Sequence, residues 1–164
     1  MAWSLSRERL GAELIGAREQ VAEKWRASVR DAGLVASALL PIASELVMLA
    51  GAALADDAPP QSPWTRCGGL LRLDGRDGGR ALQTELTLLW RCMGAALSRV
   101  ACGDDEDRAA REALGLQLDA ALRGATALVR ATLLDEEPSA QARYGGVVGI
   151  AFTTPEGRAA QTAA

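Results

Sequence analysis

Leu82-Gln83-Thr84-Glu85-Leu86-Thr87-Leu88-Leu89-Trp90-Arg91-Cys92-Met93-Gly94-Ala95-Ala96-Leu97-Ser98-Arg99-Val100 carries apolar side chains at Leu82, Leu86, Leu89, Trp90, Met93, Leu97 and Val100. Steps of three and four place them on one face of a helix, without the alternation of a half-buried strand. One apolar stripe has to be buried against another element. The flanking sequence supplies only further helices.

Downstream, Cys102-Gly103 ends this helix and Asp104-Asp105-Glu106-Asp107 opens the next. Acids in a first turn interact favourably with the helix dipole, so the charge run reads as a cap rather than a tail. Leu114, Leu118, Leu122, Ala125, Val129 and Leu133 carry that helix to about Leu134. Upstream, a first helix follows Ser6 as its N-cap and runs to Asp31 before Gly33, with Leu10, Leu14, Ala17, Val21, Trp25 and Val29 on one face. A second covers Ala38 to Ala55, with Pro41 in its first turn and the widest apolar surface of the set. Trp64 to Leu73 leaves room for a short helix between two turn-rich breaks. Short links between amphipathic helices imply antiparallel neighbours. The expected fold is therefore all-α: a four-helix-type bundle (residues 1–134) with one short extra helix, and an irregular C-terminal extension (residues 135–164).

A chain of 164 residues, 49% apolar and 24% charged, suits one globular domain. It contains no histidine, which removes Ser-His-Asp and Cys-His pairs and His-ligated metals. A net charge of −3 argues against a nucleic-acid partner. Gly33 to Ala55 is apolar but interrupted by Pro41 and by Glu45 near its middle, so no membrane insertion is expected. The N-terminus has no uninterrupted apolar run of the signal-peptide kind.

Cys67, Cys92 and Cys102 are odd in number and irregularly spaced, which fits neither a disulfide framework nor a zinc site. Cys92 and Cys102 lie in apolar helical sequence and read as small buried hydrophobes. Cys67 follows Arg66, whose charge lowers a thiol pKa only slightly. Reduced thiols suit a cytoplasmic protein. No cofactor or metal is implied. Glu45 and Glu85 sit in strongly apolar stretches, where a structural hydrogen bond to an arginine is expected over catalysis. Arg66, Arg72, Arg76 and Arg80 face only Asp74 and Asp77 as nearby counter-charges, a patch that could receive an anion or an acidic partner surface. Trp64 beside them is either a lid or, as the plainer reading, a core anchor.

The order of features resembles a known family. Trp25 late in the first helix, the apolar second helix, Trp64-Thr65-Arg66-Cys67-Gly68-Gly69-Leu70-Leu71-Arg72-Leu73 and the helix Leu82 to Arg91 follow one another. This resembles the all-helical N-terminal sensor domain of RsbR-type stressosome proteins (co-antagonists), a version of which precedes the kinase core of some bacterial sensor histidine kinases. The likeness covers residues 8–134. The later run Arg143-Tyr144-Gly145-Gly146-Val147-Val148-Gly149-Ile150-Ala151-Phe152-Thr153-Thr154-Pro155 is similar to the H-box of those kinases. Thr154-Pro155 matches its Asn/Thr-Pro end, whereas Ile150 stands at the phosphoacceptor histidine, Ala151 at the acid, Thr153 at the arginine and Glu156 at the last leucine. Isoleucine offers no nucleophile for the γ-phosphate. The resemblance thus implies a degenerate, truncated H-box and a chain that does not autophosphorylate.

The expected function is a non-catalytic cytoplasmic signalling domain of two-component type, acting through helices on itself or on a kinase partner. The alternative is a helical sensor bundle holding a small anion with Trp64, Arg66, Arg72 and Arg80.

Overall fold

The computed structural model describes residues 2–34, 37–71, 73 and 78–148. Its helices are α1 (Ala2–Gly16), α2 (Arg18–Asp31), α3 (Ala43–Ala55), α4 (Ser62–Cys67), α5 (Gly78–Ser98) and α6 (Asp104–Val148), with a 3-10 turn at Gly68–Leu70 after α4. No strand occurs among the described residues, and the fold is all-α as expected. None of the described helices is long and apolar enough to cross a membrane. The chain divides into two compact units, Met1–Val129 and Arg130–Ala164. The first is the bundle; the second contains the last part of α6.

The expected first helix starts earlier than Ser6 and is broken in two. Ala17 takes φ −89° and ψ 2°, while its N–H still donates to Glu13 O at 3.0 Å and its carbonyl accepts from Val21 N at 2.9 Å. The Arg18 guanidinium donates to the Ile15 carbonyl at 3.2 Å, which compensates that group as the ladder bends. The break lets the halves take different partners: α1 packs chiefly on α3, and α2 on α5 and α3.

α1 and α3 meet through glycine. A Cβ at Gly11 would stand 2.5 Å from the Gly51 carbonyl oxygen, and one at Gly51 would stand 2.8 Å from the Gly11 carbonyl oxygen. Backbone therefore touches backbone, closer than the about 8–10 Å axial separation that side-chain packing sets.

α3 begins at Ala43 rather than Ala38, and Pro41 lies ahead of it. The delay has a cause in the core. The Leu39 N–H donates to Glu85 Oε2 at 3.1 Å, and Leu39 is fully buried. Leu39 to Ile42 close as a turn instead, Ile42 N donating to Leu39 O at 2.9 Å.

The core joins Leu10, Leu14, Val21 and Trp25 to Leu46, Val47 and Ala50 of α3 and to Leu82, Leu86, Leu89, Met93 and Leu97 of α5. The contribution of α6 is rotated from the expected stripe. Ala110, Leu114, Gln117, Ala121 and Ala125 are buried, whereas Leu118 and Leu122 are only partly so. Small residues allow close approach, and Gln117 Nε2 reaches the Ala50 carbonyl at 3.3 Å.

The acidic run does cap α6. Glu106 Oε2 accepts from the Cys102 N–H and from Arg9 at 2.6 Å. These donors, the backbone N–H first, then Ser6 and Arg9, hold the Glu106 carboxyl down to about 2. Asp107 accepts from Ser98 at 2.5 Å and Arg111 at 2.9 Å.

Downstream, α6 does not stop near Leu134. Its backbone stays helical through Asp135-Glu136-Glu137-Pro138 to Val148, so residues 135–148 of the expected irregular extension are helix. The H-box-like run thus enters the helix at Arg143, while Ile150 and the residues after it lie outside the described residues.

Candidate functional site

Glu85 is fully buried, and no arginine among the described residues pairs with it. Its Oε2 accepts from Ser37 Oγ at 2.9 Å and from Leu39 N at 3.1 Å. Its backbone carbonyl accepts from Trp25 Nε1 at 3.0 Å. Oε1 is buried without a partner. A hydroxyl and two N–H groups are not titratable partners, so this cluster ties α2, α5 and the link before α3 together rather than relaying protons. Glu45, expected inside the bundle, is exposed on α3. It lies on the solvent side of a helix whose apolar surface is wide but not complete.

Burial pushes the Glu85 carboxyl above its ordinary 4.5, against the donors at Leu39, Ser37 and Ala38. A raised folded pKa means that the folded state holds the proton more tightly. The associated stability is complete below the unfolded value and declines as pH rises through the folded value. Glu85→Gln keeps an oxygen acceptor for Ser37 and Leu39 and cannot ionise. Relative to this variant, the parent chain should lose stability between about pH 4 and about pH 7. Urea midpoints at both pH values measure this; a difference independent of pH contradicts it.

The described residues of the expected anion site, Trp64, Arg66 and Arg80, do not share one cavity. Trp64 is half-buried, and its indole lies against Gly68 and Gly124, where a Cβ on either would collide with the ring. It therefore anchors α4 on α6. Arg66 is exposed and lines a cavity of about 70 Å3 with Asp56, Ser62 and Pro63, without Trp64 or Arg80. Two positions apart on one helix, Trp64 and Arg66 face different ways. Arg80 is exposed at the start of α5, and Arg72 lies outside the described residues.

The cations that do converge are others. A groove of about 500 Å3 runs between α2 and α5, lined by Lys24, Ala27, Ser28, Leu88, Arg91, Cys92, Ala95 and Arg99. Lys24, Arg91 and Arg99 are exposed. None of the three forms an ion pair among the described residues, and no acid lines the groove. The one acid of α5, Glu85, is turned into the core, which leaves its surface charge wholly positive. Arg91 and Ala95 also line a second cavity, of about 300 Å3, with Trp90, Leu114 and Leu118. The two form one face across α2, α5 and α6, apolar along its floor and basic at its rim.

Cys67 is buried and Cys92 is half-buried against the core, whereas Cys102, expected to be buried, is exposed. Cys102 falls in the α5–α6 link, past the end of the helix. Burial pushes the Cys92 thiol up, opposed by a hydrogen bond with Ser28 and the charge of Lys24. It is a floor residue of the groove and not an activated nucleophile.

The sequence did hold a signal for this groove. Leu88, Cys92, Ala95 and Arg99 form a second stripe on α5 at helical spacing, and Lys24 is the single lysine of the chain. The density of arginines between Arg66 and Arg80 draws attention to a loop instead. No family model, curated protein or solved structure matches the chain.

Proposed function

We propose that the chain is a non-catalytic cytoplasmic signalling domain, related to the sensor region ahead of some histidine-kinase cores, and that it works by binding an acidic helix of a kinase or of its own kind. The supporting observation is the α2–α5 groove, whose three cations form no ion pair among the described residues. A third helix can lie in the furrow between two others at about 8–10 Å from their axes. Rim cations select an acidic partner and speed its encounter. An open furrow suits a helix better than a small molecule, because small-ligand sites bury most of their ligand. Isoleucine at the H-box position agrees with a role that shifts a partner's equilibrium instead of accepting phosphate.

Autophosphorylation of the soluble histidine-kinase cores of the source organism, with and without the chain, tests this. At least one rate should change several-fold, and Lys24→Glu with Arg91→Glu should abolish the change. Both positions are exposed, so the helical circular dichroism of the double variant should match the parent. If no kinase responds, or the double variant acts like the parent, the proposal is wrong.

A further inference from the structure

We infer that the hollow between α5 and α6 beside Trp90 binds a small apolar carboxylate. The inference does not rest on the proposed kinase role, although the hollow shares Arg91 with the groove. Trp90, Arg91 and Gly94 of α5 and Leu114, Gly115 and Leu118 of α6 surround about 300 Å3.

Gly94 and Gly115 lie inside long helices, where only proline is a poorer former than glycine. At Gly11 and Gly51 glycine lets backbones touch, but a Cβ on Gly94 or Gly115 would meet no atom within 4 Å. No packing within the chain therefore offsets their weak propensity, and the missing side chains leave open space. Trp90 is 4% exposed, and its buried Nε1–H has no acceptor among the described residues. Buried donors are normally satisfied, and a ligand oxygen would supply the acceptor. Arg91 is exposed and forms no ion pair among the described residues. Arg111, which also lines the hollow, is already engaged by Asp107 and Ser98.

These surroundings define the ligand. Buried Leu114 and half-buried Leu118 favour an apolar body. A guanidinium pairs with a carboxylate through two parallel hydrogen bonds. One unengaged cation matches one negative charge, a carboxylate rather than a phosphate dianion. The volume lies at the lower end for small-molecule sites, and a helix, about 10 Å across, does not fit it.

Isothermal titration calorimetry of the full chain with phenylpropionate, indoleacetate and octanoate tests the inference. At least one should bind saturably, one per chain, and about tenfold or more tightly than its neutral amide. Gly94→Ala combined with Gly115→Ala fills the hollow from both sides. This variant should melt at a higher temperature than the parent and yet bind about tenfold or more weakly, so the loss cannot come from unfolding. Arg91→Gln should weaken binding by about the same factor, whereas Arg66→Gln, outside the hollow, should leave it unchanged.

Binding of all three carboxylates weaker than about 1 mM overturns the inference. So does binding that the glycine and Arg91 variants leave unchanged, or that Arg66→Gln weakens as much as Arg91→Gln. If a carboxylate binds as described but no kinase responds to the chain, the site stands and the kinase role is wrong. If a kinase responds and no carboxylate binds, the site is wrong and the proposed function stands.

Discussion

Trp25→Ala should lower the free energy of unfolding by about 3–5 kcal/mol, the range for removing a large buried aromatic. Trp25 is fully buried in the central cluster. Its ring fills the space between α2 and α5, and its Nε1–H donates to the Glu85 carbonyl at 3.0 Å. Truncation opens a cavity where the link before α3 is already held by the Glu85 carboxyl. Trp25→Phe separates the two contributions: it keeps most of the ring and loses the donor, which should cost about 1–3 kcal/mol. Urea denaturation of both variants gives the values. A loss below about 1 kcal/mol for the alanine variant would mean that Trp25 does not hold α2 on α5.

Gly11→Ala should destabilise although alanine is the better helix former. At a free helical position the exchange stabilises by about 0.8–1.0 kcal/mol. At Gly11 the new Cβ would stand 2.5 Å from the Gly51 carbonyl oxygen and 2.7 Å from the Ala55 Cβ. Neither neighbour is the end of a flexible side chain, so α1 has to move off α3. Overpacking of this kind costs about 1–3 kcal/mol and reverses the sign. Gly115→Ala is the control, since a Cβ there meets nothing within 4 Å. It should follow propensity and stabilise. Melting temperatures of the two variants should move in opposite directions; movement in the same direction contradicts the close crossing.

The helical periods of Leu10 to Val29 and Leu82 to Val100 made the bundle legible, because apolar spacing is a local property that tertiary contacts seldom override in long helices. The boundaries that shifted did so through contacts distant in sequence. The bend at Ala17 belongs to the divergence of α1 and α2 toward different neighbours. The late start of α3 belongs to a carboxylate 46 residues away from Leu39. The rotation of α6 follows from small residues that allow backbones to approach, where size matters more than hydrophobicity. A period calculation weights Leu118 above Ala121 and so misplaces the buried face.

The groove was partly legible. Helical spacing alone turns Arg91 away from the core stripe, but it leaves Arg99 only about 40° around the helix from Glu85, so it does not by itself divide core from groove. That α2 would bring Lys24 beside them is a matter of packing, which no local pattern of the sequence contains.

The alkylation rate of Cys92 tests most directly whether a helix covers the groove. Cys92 lies on its floor and Cys102 is exposed elsewhere, so each chain carries its own control. Thiol reaction depends on access as well as thiolate fraction. As the chain is concentrated, or as a responsive kinase core is added, Cys92 labelling should slow while Cys102 labelling keeps its rate. The slowing should vanish with Lys24→Glu and Arg91→Glu. Labelling of Cys92 that is indifferent both to concentration and to the kinase would contradict the groove as a docking surface.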